Sequence, residues 1–162
     1  MRQDEFNDKT FDLVEQVTKT ADFDGADIDL EGHPGANIYT FVGEVGTAGG
    51  ALDGATTNWQ LCLYHAPESA VTPDTAGTYV KVPDAQMLRR SAQVTRLATL
   101  TVADGAFAGI SHADHDVTAY GVGYIPDGVN RFLRVRYEAT GSPGSTIFTT
   151  FKQLHLGRIP EA

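Results

Sequence analysis

The chain has 162 residues, one domain's worth, with 21 acidic and 12 basic residues for a formal net charge of -9. That balance argues against a nucleic-acid binder, whose affinity rests largely on neutralised phosphates, and against docking on an anionic membrane surface. A domain of this length buries roughly 70% of its unfolded surface, so one core suffices, and the single cysteine, Cys62, excludes an intrachain disulfide.

Taken in order, residues 1–10 read as a polar N-terminal arm, flexible or bound to a partner, with no apolar stretch of a signal peptide. No run of the chain approaches the 18 or so apolar residues that a transmembrane helix needs. The domain itself is expected over 11–162. Phe11 to Thr18 reads as a first strand, with helix as a competitor because Asp12, Glu15 and Gln16 are poor strand formers. Asp22 to Leu30 holds an Asp-Gly turn and then a short strand, with Ile28 and Leu30 inward and Asp27 and Asp29 outward. Asn37 to Val45 is a strand, and a glycine-rich loop carries the chain to another at Thr57 to Ala66. In that second strand Trp59, Leu61 and Leu63 share one face, and Gln60, Cys62 and Tyr64 share the other. Trp59 therefore reads as core rather than as a sugar-stacking platform, and Cys62 as a small buried or half-buried apolar residue.

A long loop, 67–77, leads to a short strand at Thr78 to Val82. Asp84 to Arg90 is the best helix signal in the chain and is only long enough for one turn. Val94 to Val102 alternates as a strand, and Phe107 to Asp116 reads as an irregular loop. The last third, Val117 to Gly157, reads as a strand-turn-strand-turn-strand meander. Its middle strand, Arg131 to Glu138, sets Leu133, Val135 and Tyr137 on one face and Arg134, Arg136 and Glu138 on the other. Asp-Gly pairs at 24–25, 53–54, 104–105 and 127–128 punctuate the whole. With no alternation of strand and long helix, the expected architecture is all-β and antiparallel: a jelly roll or β-sandwich of about eight strands with at most one short helical turn.

Few constellations carry chemistry. His112, Asp114, His115 and Asp116 form the one His/Asp cluster and are the candidate metal ligands, against the plainer reading of a polar loop. Asp22, Asp24, Asp27 and Asp29 form an acidic run of the kind calcium uses, but glycine comes early and the distal glutamate of an EF-hand is missing. A solvated acidic face is the preferred reading. Gly-x-Ser-x-Gly and phosphate-cradling glycine motifs are absent. No enzyme, catalytic residue or cofactor is expected. The outward Arg134 and Arg136 either pair across strands, which is preferred, or meet a partner.

The order of elements adds a resemblance. Ala26 to Gly32 (Ala-Asp-Ile-Asp-Leu-Glu-Gly), Ile38 to Val42 (Ile-Tyr-Thr-Phe-Val) and Trp59 to His65 (Trp-Gln-Leu-Cys-Leu-Tyr-His) precede a close of Asn130 to Tyr137 (Asn-Arg-Phe-Leu-Arg-Val-Arg-Tyr) and Thr146 to Phe151 (Thr-Ile-Phe-Thr-Thr-Phe). This resembles the small jelly-roll cement, or decoration, proteins that stabilise the heads of tailed bacteriophages, over about residues 11 to 157. The resemblance implies a virion structural protein on the capsid exterior, made in the host cytoplasm. It would bind the major capsid protein as a dimer or trimer and bridge neighbouring subunits. Phe6 and Phe11 of the arm and Arg134 and Arg136 of the late strand are the candidate partner contacts. The alternative is a carbohydrate-binding β-sandwich module of a phage fibre or tail; a third reading is a small cupin-like metal enzyme.

Overall fold

The structure, a computed structural model, describes residues 10–14, 17–31, 37–47, 56–89, 105–110, 115–143 and 146–158, with side chains at 19–31, 56–87, 105–107 and 122–143. The described residues form twelve strands: β1 (Thr10–Val14), β2 (Val17–Lys19), β3 (Phe23–Asp24), β4 (Ile28–Asp29), β5 (Asn37–Thr47), β6 (Asn58–Pro67), β7 (Val80–Lys81), β8 (Met87–Arg89), β9 (Ala106–Ile110), β10 (His115–Tyr124), β11 (Asn130–Thr140) and β12 (Thr146–Arg158). One 3-10 turn at Asp84–Gln86 is the helical exception. All pairings are antiparallel.

The strands divide into two six-stranded sheets. In the first the order is β1, β12, β5, β10, β8, with β2 also on β12. In the second it is β3, β11, β6, β7, with β4 also on β11 and β9 also on β6. When β1 with β2 and β3 with β4 are each counted as one broken strand, the chain crosses from sheet to sheet in the way that defines a jelly roll. The short β7 and β8 are additions between β6 and β9. The all-β expectation holds, and among the described residues Asp84–Gln86 is the one short helical turn.

Several local expectations change. β10, β11 and β12 are not a meander: β11 lies in the second sheet and its two chain neighbours lie in the first. Alternation tells which face of a strand is apolar but not which strand lies beside it. Asp24-Gly25 is no hairpin turn either. The Gly25 N–H donates to the Val135 carbonyl at 2.8 Å, so the segment stays alongside β11 between β3 and β4. The helix signal after Pro83 stops after three residues, and Met87 begins β8, paired with Tyr124. The expected loop from Phe107 to Asp116 is replaced in part by β9 and by the start of β10. At the other end of the chain, β1 and β2 settle the first segment as strand rather than helix, and Thr10 belongs to β1 rather than to the arm. Residues 1–9, with Phe6, and the expected strand at 94–102 lie outside the described residues.

The core sits between the sheets. Leu61, Leu63, Leu133, Val135 and Tyr137 of the second sheet meet Val122, Tyr124 and Met87 of the first, with Phe107, Val82 and Ile28 closing the edges. Trp59 is fully buried; Phe23 packs edge-on to it at 5.7 Å between ring centroids and stacks on Tyr137 at 4.4 Å. These aromatics hold the two-residue β3 against β11, which the few ladder bonds of so short a strand would not do alone. At the far end of β11 the chain turns on Gly141, whose φ of +68° suits glycine. A Cβ there would collide with the Thr56 carbonyl oxygen.

Candidate interaction face

The feature with the densest chemistry is the outer face of the second sheet, and it follows from the alternation of β11. With Leu133, Val135 and Tyr137 committed to the core, Arg134, Arg136 and Glu138 must face out. The register then sets acids on one side of this row, because β3 and β4 lie along β11 with Asp24 opposite Arg136 and Asp29 opposite Phe132.

The row is stitched to both neighbours. Arg134 Nε lies 2.7 Å from Asp27 Oδ1 and its Nη1 lies 3.1 Å from Asp24 Oδ2. Its guanidinium sits 4.1 Å from the centre of the Tyr79 ring. Arg136 reaches Asp22 and Asp24, each at 3.5 Å, and Asp22 also accepts the Ala139 N–H at 2.8 Å. On the other flank Glu138 accepts from the Tyr64 hydroxyl and from Lys81 Nζ, the latter at 2.9 Å. Burial works against the charge on Glu138, but the hydrogen bonds from Tyr64 and Lys81 outweigh it and hold its carboxyl below the usual range.

Arg131 is the hub at one end. It makes a two-pronged contact with Asp29, Nε to Oδ1 at 2.9 Å and Nη2 to Oδ2 at 2.7 Å. It also reaches Glu31 at 2.6 Å, Glu68 at 3.1 Å and Asp74 at 3.0 Å. Ion pairs as open to water as these add little to stability, because solvent screens them. Their main physical effect is therefore to fix the register of β3, β4 and the 68–76 loop on β11, while burial in the core supplies the bulk of stability.

The acidic run at 22–29 is thus engaged by arginines rather than left as a free solvated face, and the cross-strand reading of Arg134 and Arg136 describes where both side chains go. Phe11 lies in β1, an edge strand among the described residues, opposite Gln153. Of the metal candidates, His112 and Asp114 lie outside the described residues, and His115 and Asp116 open β10, where only the backbone is described. No group of three metal-ligating side chains converges among the described residues.

Two buried side chains of β6 belong to this region, Cys62 as the sequence leads one to expect and His65 without any local sign. Cys62 is fully buried on the outer side of β6, where burial and then the neighbouring charge of Glu138 push its thiol up to about 12. It is therefore expected to resist a thiol-specific reagent such as a disulfide dye in the native protein and to react promptly once denaturant is added; rapid native-state labelling would contradict this placement. His65 is the second. It is buried on the inner side of β6, with Nδ1 3.0 Å from the Tyr124 hydroxyl, so one polar contact joins the two sheets through the core. Burial lowers its pKa from the ordinary 6.5, against the opposing charge of Asp127. A lone histidine in a sequence carries no sign of this, because its partner lies on a strand of the other sheet.

Comparison with protein-family models, curated proteins and solved structures finds no match to this chain.

Proposed function

We propose that this chain is a virion structural protein that binds the outer surface of an assembled phage capsid and stabilises it by bridging neighbouring major capsid subunits, without catalysis. The observation that carries the reading is the jelly roll with its β11 face stitched on both flanks. A two-sheet slab whose outer face is locked to its neighbouring strands transmits force with little internal give, and that is the mechanical requirement for opposing the separation of shell subunits. The family resemblance of the strand order and the acidic surface support the same reading. A footprint spanning two subunits would select the assembled lattice over free subunits, since two weak contacts on one rigid body act multivalently. The arm, with Phe6, and β1, with Phe11, are candidate contacts, as are Arg134 and Arg136 if the lattice offers them acids to exchange for their own. A dimer or trimer would multiply the contacts further.

The test is to mix the purified chain with capsids of the parent virus that lack it. Stoichiometric copies on the particle and a raised capsid melting temperature are expected. Capsids of unchanged occupancy and stability would end this reading. Jelly rolls also serve lectins, so selective binding on a glycan array in place of capsid binding would point to the fibre or tail module instead.

A further inference from the structure

The exposed large hydrophobic side chains are not scattered. Among the described residues they are Val71 at 90% exposure, Val129 at 70%, Val80 at 51% and Ile125 at 37%. All of them belong to two stretches: the connection from β6 together with the start of β7 that it leads into, and the loop between β10 and β11. These stretches meet at one end of the sandwich, where Asn130 pairs with Pro67 and Arg131 clasps Glu68 and Asp74. Isolated exposed valines need no explanation, but their gathering at one end among the described residues marks a patch.

The connection that carries Val71 is held in shape before any partner arrives. Glu68 bridges to Ala76, and the Gly77 N–H donates to the Pro67 carbonyl at 2.8 Å. Ser69 Oγ accepts from the N–H groups of Val71 and Thr72, each at 3.2 Å, and Glu68 accepts from the Asp74 N–H at 2.7 Å. A loop already ordered loses little entropy on docking. Around its base one arginine serves Asp29, Glu31, Glu68 and Asp74, which leaves a collar of excess negative charge. Glu31 and Asp74 stay 70% and 78% exposed.

We infer that this end of the sandwich is the capsid-docking end, with Val71 and Val129 entering a shallow apolar depression on a capsid subunit that is rimmed by lysine or arginine. The inference rests on the decoration reading for the identity of the partner. Charge complementarity selects the rim: an acidic collar is repelled by acids and held by bases, and it steers the approach.

The experiment measures binding of the full chain to purified capsids of the parent virus that lack it. The double variant Val71→Asp/Val129→Asp is expected to bind about tenfold more weakly or worse. Thr72→Lys, which adds a positive charge at the same tip, is expected to weaken binding too. Thr20→Asp, at the opposite end of the slab, is expected to bind as the parent does. Thermal melting of each variant keeps folding separate from docking, and both tip variants change exposed side chains. Added salt is expected to weaken the parent chain's binding. If the parent chain binds and both tip variants bind equally well, the docking end is wrong while the decoration reading stands. If the parent chain itself fails to bind, both fall.

Discussion

Trp59→Ala is expected to lower the unfolding free energy by about 3–5 kcal/mol, the usual range for emptying a buried aromatic site. Trp59 is fully buried, and its neighbour Phe23 stacks in turn on Tyr137. The substitution removes the side wall against which Phe23 rests, so β3 loses its anchor as well as the core losing volume. Domains of this size are stable by only about 5–15 kcal/mol, so the variant should sit near the edge of folding at body temperature. Urea titration followed by tryptophan-independent circular dichroism checks it. A loss below about 1 kcal/mol would mean that Trp59 is not packed as described. Trp59→Phe should recover much of the difference, since it refills most of the volume.

The second large effect is expected in acid. His65 is kept neutral by burial, with its pKa below 6.5. As pH falls below 6.5 the unfolded chain takes up a proton there that the native state refuses. The unfolded state then binds more protons, so stability falls with pH, by up to about 1.4 kcal/mol per pH unit until the lowered native value is reached. Above that window His65 contributes no pH dependence. A second decline follows at lower pH. Glu138 is held below its ordinary 4.5 and Asp127 well below its ordinary 3.8, burial in both cases being outweighed by hydrogen bonds. Their stabilisation is complete above those ordinary values and is lost as pH falls towards the native ones. Unfolding free energy measured against pH should therefore show two descending steps. His65→Gln keeps a polar partner for Tyr124 and removes the titration, so it should flatten the upper step and leave the lower one. Equal slopes in both proteins between pH 6.5 and 4.5 would refute the assignment.

Much of this fold is legible in the sequence, and the reason is the simplicity of the code involved. Leu133, Val135 and Tyr137 alternate with Arg134, Arg136 and Glu138, and a period of two allows one answer for which set is buried. The same holds for Trp59, Leu61 and Leu63. What alternation lacks is any record of adjacency. The 22–29 acids and the β11 arginines are each obvious, yet Asp29 and Arg131 stand 102 residues apart, and only the crossing of the chain between sheets brings them together. The meander expectation failed for the same reason. Met87 to Arg89 departs from its helix signal because a three-residue strand is set by its neighbour β10 rather than by its own propensity. The His65–Tyr124 contact joins strands of different sheets and leaves no local trace.

The place of β12 has a consequence for how the protein is made. β12 lies between β1 and β5, so the earliest described strand and one from the first third of the chain wait for the latest strand to come between them. During synthesis the ribosome has to deliver Thr146–Arg158 before β1 and β5 are joined. Until then β1 and β5 present bare edges to whatever is nearby. Closing such distant pairings is slow, and nascent chains of this protein divide between finding their own β12 and finding each other.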